Sequence, residues 1–523
     1  MWGLRSSRTL AIGSAAALFV VVSLLPVLYM FALALASPGA WAATILDDRQ
    51  RGLLINTTAL GVGSAVFATA IGAPLGFILS RVPLRFKSGL RVTLMAPLLL
   101  PPYVIALAWI YLEGTLRETL PAAAVAALPD PYTLGGAIVA LTVVFYPLSM
   151  IATEVGLRRV ETRLEEAALL VARPGRVLWR ITWPLVAPGV ISAALVIFVL
   201  SISEFSVPGL LRVRVFTTEI FTAFAALYDF GRATVLGAPL LAVSIAVAAA
   251  AAFHVRDRVF VTSRGLYGSP IVPSEAWTVT AAAFTGAAIV LALVLPLAAI
   301  AREAFRADSM AAVLQGSSGA VINSLVAATI GATVITAIAI CLGYARARTL
   351  ARRGAAVDVL WIVLFTVPST VLGIGLIGVW NRPAPWGWFY GTSAMLVIGY
   401  VARFLPVAAL AVAAAMRSVP TSQEEAAAVS GSRWLRTMAH IVVPQIRLGL
   451  LAVWAIALIL SFGEVGTSIL VAPAGESTLP IRVYTMTANA APGQVATLAL
   501  FQSLVILGPL VVVAIVLSTR SGR

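Results

Sequence analysis

The 523-residue chain is 60% hydrophobic and only 11% charged, against a charged share of about 25% in ordinary soluble domains, which excludes a soluble globular fold and predicts an integral membrane protein. Its formal net charge of +15 does not point to nucleic acid, because the basic residues are sorted by side along the chain. The single cysteine, Cys341, lies inside an apolar run, so no disulfide framework exists.

Twelve apolar runs of roughly 20 or more residues are expected to cross about 30 Å of hydrocarbon. In chain order they cover residues 10–36, 54–80, 91–112, 134–157, 185–211, 233–254, 277–300, 320–345, 357–380, 391–416, 446–471 and 495–518. The first run, with Arg5 and Arg8 before it, exceeds the roughly 7 to 15 apolar residues of a signal peptide and is expected to be a retained span. If the N-terminus lies inside, the inward segments carry 25 of the 36 Lys and Arg: both termini, Arg81 to Arg91, Arg158 to Arg180, Arg256 to Arg264, Arg346 to Arg353 and Arg417 to Arg447. Outward loops such as Asp47 to Arg51, Glu113 to Asp130 and Arg302 to Asp308 mix the signs. This asymmetry places both termini and residues 158–184 and 417–444 in the cytoplasm.

The chain repeats itself. Asn56, Gly76 and Pro101 match Asn323, Gly343 and Pro368 at an offset of 267; Pro147 and Glu166 match Pro406 and Glu425 at 259; Arg173, Arg176, Pro184 and Glu204 match Arg433, Arg436, Pro444 and Glu464 at 260. Six spans per half imply an all-α membrane protein of two parallel six-helix repeats, with translocation between them. The halves are residues 1–270 and 271–523, joined through the Gly-, Pro- and Ser-rich linker between Arg256 and Glu275.

Each half carries one charged segment between spans, "LEEAALLVARPGRVLWRITWP" and "QEEAAAVSGSRWLRTMAHIVVP". Thr162 with Glu165, and Thr421 with Glu424, have the spacing of a helix capping box, which assigns the first glutamate to the cap. The second, Glu166 or Glu425, sits in the first turn and is free to meet something else. A break at Pro174-Gly175 or Gly431-Ser432 is followed by a short helix with Arg173, Arg176 and Arg180, or Arg433, Arg436 and His440, on one face. Such a stripe suits anionic lipid headgroups. A helix-turn-helix kept by both halves also suits a protein partner that touches both alike.

These segments resemble the EAA loop of ABC importer permeases, Glu-Ala-Ala, three residues, Gly, nine residues, then Ile, any residue, Leu and Pro. Glu425-Ala426-Ala427, Gly431, Ile441 and Pro444 fit every spacing, with Val443 for Leu; Glu166-Ala167-Ala168 to Ile181 and Pro184 is one residue shorter, lacks the glycine and has Trp183 for Leu. The resemblance covers essentially the whole chain. A fused pair of six-span units of this length is similar to iron(III)-type permeases and their thiamine and phosphonate relatives, which implies a type I ABC importer fold in the bacterial inner membrane. It further implies that Glu166, Ala167, Ala168, Arg173 and Arg176, with Glu425, Ala426, Ala427, Gly431, Arg433 and Arg436, dock as coupling helices on a cytoplasmic ATPase dimer. ATP and magnesium would bind on that partner, and an extracytoplasmic binding protein would deliver substrate. The chain itself cannot form a Walker A loop, since its only lysine, Lys87, follows Phe86. With only His254 and His440 and no HExxH, an enzyme is not expected, nor a cofactor in this chain.

Ionisable groups inside spans are functional candidates. "LSISEF" and "LSFGEV" place Ser201 with Glu204 and Ser461 with Glu464, as oxygen ligands along a path for a hard or positively charged substrate, or as groups that snorkel outward or pair with Arg212 or Arg403. Arg403, matched by Val144, is a candidate counter-ion to Glu464 or to an anionic substrate. Trp109, Tyr111, Trp380, Trp386, Trp388 and Tyr390 are read as an interfacial belt, with a thiamine cage as the alternative. Gly61, Gly63, Gly72 and Gly76, like Gly373, Gly375 and Gly378, are read as helix-packing positions. The expected function is the membrane subunit of an ABC importer, favouring iron(III), with thiamine, phosphonate or polyamine import as alternatives. An ion-coupled secondary transporter using Glu204, Glu464 and Arg403 is the competing class.

Overall fold

A computed structural model describes residues 2–36, 48–126, 129–256, 275–349 and 354–521. Every regular element among them is helical. Among the described residues nine helices are long and apolar enough to cross a membrane, or twelve if each of three bent pairs is one span. All twelve expected runs fall on these elements. The inter-repeat boundary at residue 270 lies outside the described residues.

The bends have a sequence cause. In the third span of each half, Lys87–Leu99 turns into Pro102–Thr119 at 93° and Gly354–Phe365 into Ser369–Trp380 at 94°. Leu100, which precedes Pro101, is extended at ψ 139°, as the clash with a following proline ring dictates. Pro101 and Pro368 then occupy the N-cap positions of the next helices, where a missing N–H costs nothing. The expected straight runs 91–112 and 357–380 are therefore hinged. Four π-helical turns, Val20–Leu24, Leu178–Thr182, Val290–Val294 and Met438–Val442, each stand two residues before a proline, Pro26, Pro184, Pro296 and Pro444. A proline ring inside a helix removes a donor and crowds the carbonyl four residues back, and a widened turn relieves both.

Packing groups the chain into two units. One comprises Asp48–Thr218, Ala250–Gly316 and Val483–Arg523; the other comprises Met1–Asp47, Glu219–Ala249 and Ser317–Arg482. Each unit thus combines the central helices of one sequence half with flanking helices of the other, an interleaving that the linear repeat does not announce.

In the unit built on Asp48–Thr218, helix Asp48–Arg81 lies against Leu134–Leu157 and Trp183–Ser203. A Cβ at Gly72 would run into the carbonyl oxygen of Tyr146, and one at Gly76 into that of Met150. These glycines serve backbone-to-backbone approach, as expected. Ala73, Leu157, Val160, Val186 and Val190 form a core cluster at one end, with Phe77 and Trp183 against it. In the unit built on Ser317–Arg482, Ser318–Tyr344 packs on Ala394–Met416 and Arg447–Phe462. Gly375 and Gly378 receive Pro26 and Tyr29 of the first span.

Candidate functional site: two loops and two interrupted spans

Helices Thr162–Leu169 and Thr421–Val429 open the two charged segments, with Glu161 and Pro420 at the N-cap and no side-chain cap. The threonines stand inside the first turn, one position too late to cap. The capping-box assignment of Glu165 and Glu424 is therefore corrected. Glu165 is buried and receives Arg81 Nη2 at 3.0 Å on Oε1 and at 2.8 Å on Oε2, while Thr182 Oγ1 donates to it at 2.6 Å. Glu424 accepts from Arg348 Nε at 2.8 Å and from the Tyr344 hydroxyl at 2.9 Å. In both halves the first glutamate fastens the loop to the end of the second span. Sequence reasoning missed Arg81 and Arg348, although the offset of 267 that pairs Asn56 with Asn323 also pairs them.

The second glutamates point outward. Glu166 and Glu425 are exposed, as are Arg173, Arg176, Arg180, Arg433, Arg436 and His440. The alanines divide: Ala167 and Ala426 are exposed, Ala168 is half-buried and Ala427 is buried. The loops also present apolar side chains to their surroundings: Leu170, Val171 and Val429 are 87%, 86% and 91% exposed, and Trp179 and Leu435 are exposed too. These residues were not singled out from the sequence, where they look like ordinary members of an amphipathic helix.

The turns differ as their sequences do. Gly431 takes φ +76°. Its N–H donates to Ala428 and that of Ser432 to Ala427, at 3.0 and 2.9 Å, the paired bonds of a Schellman motif, in which a left-handed residue closes the helix. In the first loop Ala172 N–H donates to Ala168 at 2.9 Å and no residue of the turn has a positive φ. Beyond the turn the loops converge again: Arg173 (φ −65°, ψ 147°) and Arg433 (φ −71°, ψ 149°) stand before the short helices Pro174–Val177 and Trp434–Thr437.

The fifth spans are interrupted where the path candidates lie. Trp183–Ser203 ends at Glu204, whose Oε1 accepts from the Ser206 N–H at 2.8 Å and from the Ser206 hydroxyl. Arg447–Phe462 ends just before Glu464, which accepts from the N–H groups of Thr467 and Ser468, each at 2.8 Å, and from the Ser468 hydroxyl at 2.6 Å. Both carboxylates therefore cap the short helices that follow, Ser206–Leu210 and Ser468–Val471. The expected runs 185–211 and 446–471 are broken at this point. Arg403 Nε lies 3.9 Å from Glu464 Oε1, and its Nη1 is buried with no hydrogen-bond partner among the described residues. Ser201 and Ser461 are fully buried, and their hydroxyls are likewise unpartnered.

Trp109 and Tyr111 fall in one unit and Trp380, Trp386, Trp388 and Tyr390 in the other; Trp388 is 70% exposed. A cavity of about 600 Å³ in the unit built on Ser317–Arg482 is walled mainly by apolar side chains such as Val326, Ile330 and Val397. Ser461, Glu464 and Arg403 do not line it. No cluster of His, Cys, Asp or Glu able to hold a metal occurs among the described residues.

Comparison with known proteins places this architecture. Residues 338–521 match the family described as binding-protein-dependent transport system inner membrane component. The chain is similar to the Fe(3+)-transport system permease protein FbpB 2 of Haemophilus influenzae, 23% identical over 452 residues, which cover 85% of this chain and 86% of that protein. It is 24% identical over 441 residues to the ferric transport system permease protein FbpB of Actinobacillus pleuropneumoniae, 79% of this chain and 61% of the relative. It is also 32% identical over 169 residues to the molybdenum transport system permease protein ModB of Mycobacterium tuberculosis; that stretch is 32% of this chain and spans 64% of the length of ModB. The all-α architecture, the apolar helices and these matches lead to one assignment: residues 338–521 carry the inner membrane component of binding-protein-dependent transport systems, and the chain as a whole is similar to the permease proteins of such systems.

Proposed function

We propose that this chain is the translocating subunit of an ABC importer, with two half-permeases fused at the 256–275 linker and alternating access between the halves. In this reading loops 158–184 and 417–444 are cytoplasmic, as are both termini. Glu166 and Glu425 dock into a cytoplasmic ATPase dimer that binds ATP and magnesium, and an extracytoplasmic binding protein delivers the substrate. The observation that carries the proposal is the division of labour within each Glu-Glu pair. One carboxylate is tied to a membrane helix by an arginine, and its neighbour is exposed beside bare apolar side chains. Exposed apolar groups flanked by charge are what a protein partner covers.

The test is co-purification with the ATPase. Binding is expected for the wild type and is expected to be lost with Glu166→Lys plus Glu425→Lys. Transport by the purified chain without an ATPase would overturn the reading and favour an ion-coupled carrier.

Iron(III) is the favoured substrate, supported by the ferric relative that is matched over nearly the full length of both chains. Molybdate is a second reading, favoured by the 32% identical stretch and by the hydrogen bonds that Glu204 and Glu464 accept at the starts of the following short helices, which compete with coordination of a hard cation. Titrating the cognate binding protein with ferric iron and with molybdate decides between the two.

A further inference from the structure

The second span of each half is fastened at both ends, and at equivalent positions. At one end Arg81 and Arg348 hold Glu165 and Glu424 of the charged loops. At the other, Thr57 Oγ1 accepts the N–H of Phe216 at 3.1 Å, and Ser324 Oγ accepts the N–H of Leu479 at 2.6 Å. The offset of 267 that relates Arg81 to Arg348 also relates Thr57 to Ser324. Phe216 and Leu479 are the first residues of helices Phe216–Ala225 and Leu479–Met486. A hydroxyl on the second span thus satisfies one of the orphan donors that every helix start presents, acting as a cap supplied from another element. In the first half Asn56 Nδ2 adds a bond of 3.0 Å to the carbonyl oxygen of Arg214. Thr57 and Ser324 are 4% and 1% exposed, so these bonds are not shared with bulk water.

The two fastenings stand 24 residues apart in each half, about 36 Å along a helix at 1.5 Å per residue, which exceeds the roughly 30 Å of a bilayer core. Between them the helix is wedged against its neighbour: a Cβ at Gly76 would meet the Met150 carbonyl oxygen, and one at the equivalent Gly343 would crowd Val412 and the Ala413 nitrogen. The capped helices are also where the chain changes units, since the divisions after Thr218 and after Arg482 fall inside them.

We propose that the second span of each half is a transmembrane strut that carries movement of the charged loop to the capped helix on the other side, with Arg81, Thr57, Arg348 and Ser324 as its positioning residues. This rests on the ATPase-docking reading of the loops. Glu165 and Glu424 are the inner grip and Thr57 and Ser324 the outer grip. The hydroxyl bonds orient the helix through which the chain passes from one unit to the next.

The test uses the full chain in complex with its ATPase dimer, with hydrogen exchange at Phe216–Ala225 and Leu479–Met486 measured before and after trapping with ATP, magnesium and vanadate. In the wild type, trapping is expected to change exchange in both helices by about fivefold or more, the low end of allosteric couplings. In Thr57→Val, which keeps the shape, plus Ser324→Ala, which removes only the hydroxyl, both acceptors are gone; the ATPase still co-purifies and the nucleotide-dependent change is lost. Thr57→Ser retains it. A wild-type-sized change in the double variant overturns the strut while leaving the docking reading in place; absence of ATPase binding by the wild type overturns both. Should the double variant fail to fold, Glu165→Gln plus Glu424→Gln weakens the opposite grip without changing shape. That protein is expected to show the same loss, and an undiminished response there overturns the strut as well.

Discussion

Arg81 meets Glu165 at 2.8 Å across 84 residues of chain, with only 5% and 4% of the two side chains exposed. The equivalent pair, Arg348 and Glu424, keeps 12% and 15% exposed, so water can still reach it. Removing one partner of a buried pair strands the other charge, at a cost of about 3 to 5 kcal/mol. Glu165→Ala is therefore expected to lower the thermal unfolding midpoint of the purified protein more than Glu424→Ala does. Replacing both Arg81 and Glu165 by Met is expected to restore most of the loss, since an apolar pair of similar volume is often no worse than the ions it replaces. Equal shifts for the two single variants would show that burial does not set the difference.

Gly431 and Ala172 make a matched pair of turn experiments. Gly431 holds φ +76° with nothing within 4 Å of where its Cβ would be, so the penalty for alanine there is conformational rather than steric, about 1 to 2 kcal/mol. Ala172 needs no left-handed backbone, and glycine there only adds freedom to the unfolded chain, about 0.5 to 1 kcal/mol. Gly431→Ala is expected to destabilise more than Ala172→Gly, read by thermal unfolding of each variant. The opposite ranking would mean that the two turns share one geometry.

How much of this was legible beforehand depended on the range of the interaction. The twelve apolar runs, the six-plus-six repeat and the exposure of Glu166 and Glu425 follow from hydropathy, offsets and helical position, all local or periodic properties. Pro101 and Pro368 enter the sequence reading only as markers of the repeat, although a proline within an apolar run also signals a break, and the bends of 93° and 94° stand at them. The partner of Glu165 lies 84 residues upstream, and a local motif, the capping box, offered a sufficient explanation that masked it. Glu204 and Glu464 show a related limit. An acidic residue in an apolar run reads equally as a ligand and as a partner for an arginine, and the run does not show that the helix stops there. The interleaving of the two units has no linear signature, because two similar halves have similar apolar faces and hydropathy does not say which pairs with which.

Glu464 separates a capping role from a ligand role. It accepts from two backbone N–H groups and one hydroxyl, whereas Glu204 accepts from one of each. Loss of a cap costs about 0.5 to 2 kcal/mol, and Glu464→Ala also leaves Arg403 without its carboxylate. Glu464→Ala is expected to be less stable than Glu204→Ala, with transport falling in parallel with folded protein. A variant that keeps full stability and loses transport would place Glu464 on the substrate path.

The bare apolar side chains of the loops make the most direct prediction about partner binding. Val429 is 91% exposed and Leu170 87%, and they stand at the C-terminal ends of the helices that carry the exposed glutamates rather than along a span. Burying a Val or Leu side chain fully is worth about 1.5 to 3 kcal/mol, and 1.4 kcal/mol is a factor of about ten in affinity. Val429→Asp adds the cost of burying a charge to the loss of that contact. It is therefore expected to weaken ATPase binding by at least about tenfold in a titration of the labelled permease, with Leu170→Asp acting likewise. Leu10, 71% exposed on the first span, serves as the control: Leu10→Ala is expected to leave the affinity unchanged. If Val429→Asp and Leu170→Asp bind as the wild type does, the apolar rim does not meet the ATPase, and the exposed charges must hold the contact alone.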